Sequence, residues 1–319
     1  MKFFISILLL CELIFAKILI VNSYSKHDQC GEPQLYGFLN SVYEKGYKRD
    51  DFDIYFLDTR ATPKESVKKR VKDILSNLNK YSSVVVIDDD AFKMVGIPAS
   101  KQGKYIFFSG LNYPYSRYEK EYNLTKNISG VRENIFAKKV LEVFNKIKPI
   151  KKIAFFYGNG VGKVLKLQIE LELKDTKFFQ MLDFIHINNI EELERETKRV
   201  NSDPKYTLFM PFAMSIYDKN GKKSSLKEHE YIFLNNIKKP DFSINNIFTK
   251  LGFLGFGGAN FYQSGKQLAN IFLNYKKNHK QKIEDIKECI FFINVKRAKE
   301  VGFKMPKWFI KSYVKDYIW

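Results

Sequence analysis

The sequence predicts an α/β protein made of two doubly wound lobes. Two short apolar runs, Val84–Ile87 and Tyr105–Phe108, are typical of strands buried on both faces of a parallel sheet. Strand and helix patterns alternate from Lys17 onward, as they do in such sheets. The alternation starts again near residue 131, and 319 residues are enough for two domains of ordinary size. The two halves repeat an architecture without repeating a sequence.

The first half contains four predicted strands. Its elements are strand Lys17–Asn22, helix Gln34–Gly46, strand Phe52–Leu57, a helix capped by Thr62, strand Val84–Ile87, a short helix near Ala91–Val95 and strand Tyr105–Phe108. The second helix has a strong start, because Pro63 takes the first helical position and Glu65 lies three residues after the cap. The aromatic and polar stretch 113–130 is interpreted as an irregular crossover to the second half.

The second half continues the alternation and ends in a distinctive last third. Its elements are helix Val131–Ile147, strand Ile153–Tyr157, helix Val164–Leu173, strand Phe178–Leu182, helix Ile190–Val200, strand Thr207–Met210 and helix Ser225–Ile237. A Gly-rich stretch then precedes helix Phe261–Tyr275, in which Gly265 and Ala269 allow close packing. Strand Cys289–Ile293 and a short helix closed by Gly302 follow.

The N-terminus has the three parts of a secretory signal peptide. Lys2 precedes an apolar run from Phe3 to Phe15 that contains one Glu, and Ala16 supplies a small residue at the cleavage site. We expect cleavage after Ala16 and export to the periplasm. Two alternatives stay open, a lipid anchor at Cys11 and an uncleaved membrane anchor, although the run is shorter than the ~20 apolar residues of a span.

The formal net charge of +19 does not indicate a nucleic-acid partner. Lysines are scattered along the chain and no dense arginine cluster appears, so the excess is interpreted as a compositional bias on helix surfaces. No nucleophile elbow, H-E-x-x-H or P-loop is present, and we expect neither an enzyme nor a cofactor. His27 and Cys30 alone do not predict a metal site. The sequence leaves open whether Cys30 and Cys289 pair.

Polar clusters follow the predicted strands, where ligands bind in open α/β sheets. In the first half the candidate ligand-binding residues are Ser23, Tyr24, Ser25, Asp88, Asp89, Asp90, Ser109 and Asn112. The hydroxyls after the first strand suit a ligand carboxylate, and the three acids suit an amine or a cation, with helix capping as the alternative for one of them. The acids lack the alternating spacing of a calcium loop.

In the second half the candidate residues are Tyr157, Asn159, Phe212, Gly258 and Asn260. Tyr157 and Asn159 flank the turn Gly158–Gly162, whose glycine spacing differs from the dinucleotide fingerprint. Phe212 is a candidate cleft wall, with core packing as the alternative, and Gly258 and Asn260 are candidates for a hinge or cleft edge. In the crossover, Asn123 lies in an acid-extended N-x-Thr glycosylation pattern.

Three stretches carry a resemblance to a known family. The segment INVKRAKEVGFKMP (293–306) resembles the tail of ABC-transporter substrate-binding proteins of the type I periplasmic-binding fold, in the group that includes tryptophan-binding members. FFSGLNYP (107–114) with NISGVRE (127–133), and GFLGFGGANFYQSGKQLANIFL (252–273), are similar to other parts of the same family. The resemblance covers nearly the whole chain after residue 16. The loop after the first strand and the triple Asp depart from the family pattern.

The resemblance implies two Rossmann-like lobes joined by hinge strands, with the ligand between them. We expect lobe I to contain 17–118 and about 256–285, and lobe II 119–255 and about 286–319. The implied function is a monomeric periplasmic protein that closes over a small ligand, an amino acid being favoured, and delivers it to an ABC permease. The alternative is a ligand sensor for a separate histidine kinase or chemoreceptor.

Overall fold

The computed structural model describes residues 16–244 and 247–318. The predicted signal peptide and the alternative lipid anchor at Cys11 therefore lie outside the described residues, except for Ala16. Within the described ranges, no helix combines the length and the apolar character that a membrane span requires.

The chain alternates strands and helices, and two lists give their bounds. The strands are β1 Lys17–Asn22, β2 Phe52–Phe56, β3 Tyr81–Ile87, β4 Tyr105–Leu111, β5 Ile128–Arg132, β6 Lys152–Tyr157, β7 Leu182–His186, β8 Tyr206–Phe212, β9 Gly255–Ala259, β10 Ile283–Asp285, β11 Cys289–Asn294 and β12 Val314–Ile318. The helices are α1 Gly31–Tyr43, α2 Lys64–Ser76, α3 Asp89–Ala91, α4 Ile97–Lys101, α5 Tyr115–Tyr122, α6 Ala137–Ile147, α7 Val161–Leu173, α8 Ile190–Ser202, α9 Leu226–Asn236, α10 Ile247–Lys250, α11 Phe261–Asn278, α12 Val295–Glu300 and α13 Lys307–Tyr313.

The first lobe is a six-stranded parallel sheet covered by helices on both faces. Its strand order is β10-β5-β4-β3-β1-β2, and its central strands are apolar on both faces because helices cover both. Helices α1 and α11 pack closely on one face. A Cβ at Gly265 would lie 2.0 Å from the Gln34 carbonyl oxygen, so only glycine permits this approach. The predicted close packing at Gly265 is confirmed.

The second lobe contains two three-stranded sheets with orders β7-β6-β8 and β12-β11-β9. The segment between α9 and α10 joins them, because Phe242 bonds to Phe209 of β8 and Ser243 bonds to Gly255 of β9. Two single parallel bridges, Phe209 with Asp241 and Ser243 with Phe256, link the two sheets into one continuous layer. The predicted α/β class with two doubly wound lobes is therefore confirmed.

Separate cores distinguish the two lobes. One apolar cluster contains only residues between 135 and 258 and beyond 288, and the other two contain only residues 18–131 and 259–286. The chain thus passes between lobes near 133–135, 259–260 and 286–289. We propose lobe boundaries at these points. They differ from the expected boundary at 118, because β5 pairs with β4 in the first-lobe sheet.

Several predicted elements are shifted in the structure. The expected crossover 113–130 contains α5 and most of β5, and the following helix begins at Ala137 rather than near Val131. The strand expected at 178–182 lies at Leu182–His186, since the apolar run allows both placements and pairing of Leu182 with Ile153 selects the later one. The short helix after β3 extends to Lys101 through a π-helical turn at Phe92–Gly96.

Candidate ligand-binding cleft

A cleft of about 440 Å³ lies between the two lobes, a volume suited to a small molecule. The first lobe contributes Tyr24, Asp28, Gln29, Cys30, Thr59, Arg60, Asp88, Asp89, Asp90, Lys93, Asn112, Tyr113 and Glu133. The second lobe contributes Val161, Val164, Leu165, Met214, Leu226, Ile244, Ile247, Phe248 and Leu251, and Phe261 begins α11 beside them. The carboxyl ends of the parallel strands β1, β3, β4 and β5 all open onto this space.

Four carboxylates form the acidic floor of the cleft: Asp88, Asp89, Asp90 and Glu133. Three of them follow β3 directly, and Glu133 follows β5, two strands away in the sheet. Asp88 has a backbone φ of 73°, which an L residue rarely adopts, and its N–H donates to the Ser109 carbonyl at 2.8 Å. This bond holds the end of β3 beside the end of β4.

Three of the floor carboxylates have local donors. Asp89 accepts hydrogen bonds from the Tyr118 hydroxyl and the Asn112 amide, and Asp90 accepts one from the Thr59 hydroxyl at 2.6 Å. Asp88 accepts a long hydrogen bond from the Asn112 amide at 3.5 Å and another from the Tyr24 hydroxyl. No described residue donates a hydrogen bond to the Glu133 carboxylate or forms an ion pair with it.

Burial and nearby negative charges make Asp88 and Glu133 hard to ionise. Burial, and then the charge of Asp89, raise the pKa of Asp88 to about 7, although the Tyr24 hydroxyl opposes the shift. Burial, and then the charges of Asp88 and Asp89, raise the pKa of Glu133 to about 8. Both side chains keep some surface open to the cleft, so a ligand can reach them.

The two cationic residues of the cleft lining, Arg60 and Lys93, contact aromatic rings and Asp28. Arg60 is an exposed residue whose guanidinium lies 4.6 Å from the centre of the Tyr24 ring and 3.8 Å from an Asp28 oxygen. Lys93 lies 5.9 Å from the centre of the Tyr118 ring. Neither forms an ion pair with the acidic floor.

The nine second-lobe residues named above form the apolar wall, and none of these described side chains is polar. Part of the wall comes from the first turns of α7, and most of the rest from Ile244 and residues 247–251. Gly258 supports this second segment, because a Cβ there would lie 1.8 Å from the Ile244 carbonyl oxygen. The apolar wall can shield a ligand from water but cannot hydrogen-bond to it through side chains.

Five of the predicted residues lie together in the cleft lining: Tyr24, Asp88, Asp89, Asp90 and Asn112. Ser23 lies just beneath them, where its hydroxyl donates to the Ile87 carbonyl at 2.9 Å and accepts from the Ala91 N–H at 2.7 Å. Ser109 is buried between Gln34 and Ser264. Ser25 is exposed outside the lining. Ligand contact by any of these residues stays a prediction.

The predicted second-lobe residues lie outside the lining. Tyr157 stacks on His186 with a ring separation of 4.9 Å, and the Asn159 carbonyl accepts from Gly162 at 3.3 Å in the turn before α7. Phe212 is in the core, beside Phe155 and Phe248. Gly258 and Asn260 lie at the hinge, where the Asn260 amide donates to Glu288 at 2.8 Å.

Sequence reasoning missed the apolar wall and eight of the 13 first-lobe residues in the cleft lining. Glu133 was hidden because β5 was interpreted as part of a crossover, and the strand pattern of 128–132 was the available signal. Thr59 and Arg60 follow β2, a strand after which the sequence predicts no candidate residue. The 244–251 segment, INNIFTKL, mixes apolar and polar residues and shows no strand-end pattern that would predict a cleft wall.

The structure also bears on the cysteines, the possible metal ligands, the glycosylation pattern and a second surface depression. No disulfide joins Cys30 to Cys289. The described residues contain no group of three or more His, Cys, Asp or Glu placed to hold a metal ion. Asn123 is exposed at the end of α5, and its glycosylation stays a prediction. A second depression of about 570 Å³ is larger than the cleft, but it is shallow and lined by the second lobe alone around α8 and α9.

Comparison with known proteins supports the fold. No protein-family model and no curated protein matches the sequence. A Streptococcus pneumoniae ABC domain solved in complex with L-Trp is similar in structure, with a TM-score of 0.66, 18% identity and coverage of 95% of this chain and 99% of that chain. A Clostridium difficile substrate-binding protein with adhesive properties, in its ligand-free open form, has a TM-score of 0.65 and 16% identity, and the match covers 95% of this chain and 99% of that chain. A conserved domain protein from Vibrio cholerae has a TM-score of 0.65 and 16% identity, and the match covers 95% of this chain and 100% of that chain.

The fold therefore belongs to the class of type I periplasmic-binding proteins, as the sequence resemblance implied. At these identities the likeness establishes the architecture, and the ligand has to be argued from the residues of the cleft.

Proposed function

We propose that this chain is a solute-binding protein that closes over a small ligand and delivers it to an ABC permease. The observation that carries the proposal is a single cleft lined by strand ends of one lobe and by an apolar face of the other. Ligands of such folds are held between two lobes, and closure changes the surface offered to a partner. The L-Trp bound to the Streptococcus pneumoniae relative favours an amino acid or a compound of similar size.

The chain passages between the lobes are suited to a hinge motion. They are short, and backbone hydrogen bonds tie them together: Asn260 N–H donates to Glu288 at 3.0 Å and Ile286 N–H donates to Arg132 at 3.0 Å. Side chains also connect the lobes, because the Gln168 amide of α7 donates to the Asn112 carbonyl at 2.9 Å. Binding without turnover agrees with the lack of a nucleophile–base pair in the sequence motifs.

A closure experiment tests the proposal. The mature chain 17–319 is screened by thermal shift against amino acids, amines, carboxylates and sugars, and compounds that raise the melting temperature are examined by small-angle scattering. A true ligand at 100 times its Kd stabilises the protein by about 2.7 kcal/mol, and closure lowers the radius of gyration. Stabilisation by no compound, with an unchanged radius, would overturn the proposal.

Export is tested separately. We expect the chain in the periplasmic fraction, with Lys17 as its first residue by mass spectrometry. An uncleaved or lipid-modified N-terminus would favour the anchored alternatives.

A further inference from the structure

The charge of the cleft is opposite to the charge of the protein. The chain has 54 Lys and Arg against 35 Asp and Glu, yet five carboxylates and only two cations line the cleft. A random sample of this surface would be basic. The acidic lining therefore needs an explanation of its own.

The acids at the bottom of the cleft have no ion-pair partner among the described residues. Arg60 is exposed, lies against Tyr24 and Asp28, and attracts Asp88 only at longer range, and Lys93 lies against Tyr118. Among residues 16–244 and 247–318, no Lys, Arg or His forms an ion pair with Asp88 or Glu133. Buried carboxyl groups are normally paired with a cation or protonated, so a cationic ligand would supply the partner that these two acids lack.

Two hydrogen-bond acceptors at this place lack a donor among the described residues. The buried side-chain oxygen of Gln29, a lining residue, has no hydrogen-bond partner in the described structure. The Glu133 carboxylate is likewise without a donor from any described residue. An ammonium group brings three donors and a positive charge, which suits this set of acceptors.

The opposite side of the cleft excludes a bare inorganic cation as the natural occupant. The described residues of the apolar wall offer no side-chain ligand, and the described residues hold no metal-binding group of three or more His, Cys, Asp or Glu. A carboxylate next to the ammonium would meet the remaining acids, and the lining cation Arg60 already lies against Tyr24 and Asp28. The complementary ligand has a positive end and an apolar body.

We propose that the cleft binds an organic ammonium ion with an apolar body and no carboxylate beside the ammonium, the ammonium lying against Asp88 and Glu133. The inference rests on the proposed function, since it names the ligand class of the same cleft. It narrows the expected amino acid to a monoamine.

Matched probes test the charge preference on the unmodified protein. Each set shares one apolar body in three charge forms: tryptamine, L-tryptophan and indole-3-acetate, then phenethylamine, L-phenylalanine and phenylacetate, then isopentylamine, L-leucine and isovalerate. Titration calorimetry at pH 8 and low salt measures Kd. In at least one set we expect the amine to bind ten-fold or more tightly than the amino acid, and the carboxylate not to bind.

Two variants locate the ammonium. Asp88→Asn and Glu133→Gln each remove one floor charge at nearly constant volume, and each is expected to weaken the best amine ten-fold or more. Glu65→Gln is the matched control, because Glu65 is exposed on α2 and pairs only with Lys68. If Asp88→Asn fails to fold, Glu133→Gln and the probe ranking still decide the matter.

The outcomes separate this inference from the proposed function. Tightest binding of an amino acid or a carboxylate would overturn the monoamine class and leave solute binding in place. Binding of Ca²⁺ or Mg²⁺ that Asp88→Asn abolishes would also overturn it. Binding of none of the nine probes would overturn the monoamine class, whereas the wider screen above decides solute binding itself.

Discussion

The two faces of the cleft differ although the lobes share one architecture. The first lobe presents the tips of parallel strands, which carry carboxylates, an amide and aromatic hydroxyls. The second lobe presents the start of α7 and the 244–251 segment, and all nine of its lining side chains are apolar. We propose from this comparison a division of roles, in which the first lobe selects the charge of a ligand and the second lobe supplies its dry contact surface.

The strand tips explain the difference. In the first lobe β3 ends in charged residues that remain beside the cleft. In the second lobe Tyr157, at the tip of β6, stacks on His186, and Phe212, at the tip of β8, is buried in the core. The second face is therefore built from the segments that follow the strands. The predictions below change one face at a time.

The largest expected effect comes from reversing a charge of the acidic floor. Glu133→Lys should weaken binding of the best monoamine by roughly 100-fold or more, because it replaces an attractive charge by a repulsive one. Titration calorimetry measures the change. Glu142→Lys is the control, since Glu142 is exposed on α6 and lies outside the cleft. An affinity within about three-fold of the original would show that Glu133 does not face the ligand charge.

Truncating the apolar wall should act on affinity without acting on charge preference. Ile244→Ala removes three carbons from the contact surface, and at about 0.8 kcal/mol per buried CH₂ the loss of about 2.4 kcal/mol should weaken amine binding roughly 50-fold. The ratio between amine and amino acid should stay constant. Leu171→Ala is the control, because Leu171 is exposed on α7. A changed ratio would break the division of roles.

The acidic floor also predicts a pH dependence of stability. Burial and the charges of Asp89 and Asp90 raise the folded pKa of Asp88 to about 7, and burial and the charges of Asp88, Asp89 and Glu172 raise that of Glu133 to about 8. The folded protein therefore binds more protons than the unfolded chain between about pH 4 and pH 8, and the free energy of unfolding should fall as pH rises through this window. Tyr24 and Arg60 oppose the Asp88 shift.

Urea unfolding of the ligand-free protein at pH 5 and pH 8 measures whether the free energy of unfolding falls as pH rises. Glu133→Gln should flatten the dependence, and a bound amine should offset it. Asp241 and Glu172, whose burial raises their pKa values to about 6 and about 7, add a residual slope of the same sign in every variant. Stability that rises from pH 5 to pH 8 would contradict the electrostatics described here.

The smallest effect is expected at the direct contact between the faces. Gln168→Leu removes the hydrogen bonds from α7 to Asn112, at 2.9 Å to its carbonyl and 3.3 Å to its side chain. A hydrogen bond of this kind contributes about 1 kcal/mol, so ligand affinity should change by a few-fold and closure should become less complete by small-angle scattering. The control Gln102→Leu alters an exposed residue after α4.

The fold was largely predictable from local sequence. Fully apolar runs such as Val84–Ile87 are bounded by polar residues, and helices with Pro or Asn starts have clear periodicity, so the α/β alternation is visible without a structure. The exceptions are instructive. From the sequence, β5 is assigned to a crossover because Ser129 and Gly130 weaken its short strand pattern, and pairing with β4 establishes the strand.

The site was predictable on one face only. Strand tips are a general location for polar ligand contacts, so Asp88, Asn112 and Tyr24 were found by position. The apolar wall was not, because residues such as Ile244 and Leu251 have the composition of a core. Their exposure to the cleft depends on the tertiary fold, which includes the backbone contact between Gly258 and Ile244.

The most direct test is a crystal structure of the mature protein with the monoamine that binds most tightly. The account predicts closed lobes, the ammonium nitrogen within hydrogen-bond distance of the Asp88 and Glu133 carboxylates, and the apolar body against Ile244 and Leu251. A ligand bound outside the cleft, or one whose carboxylate lies on the first-lobe floor, would contradict it.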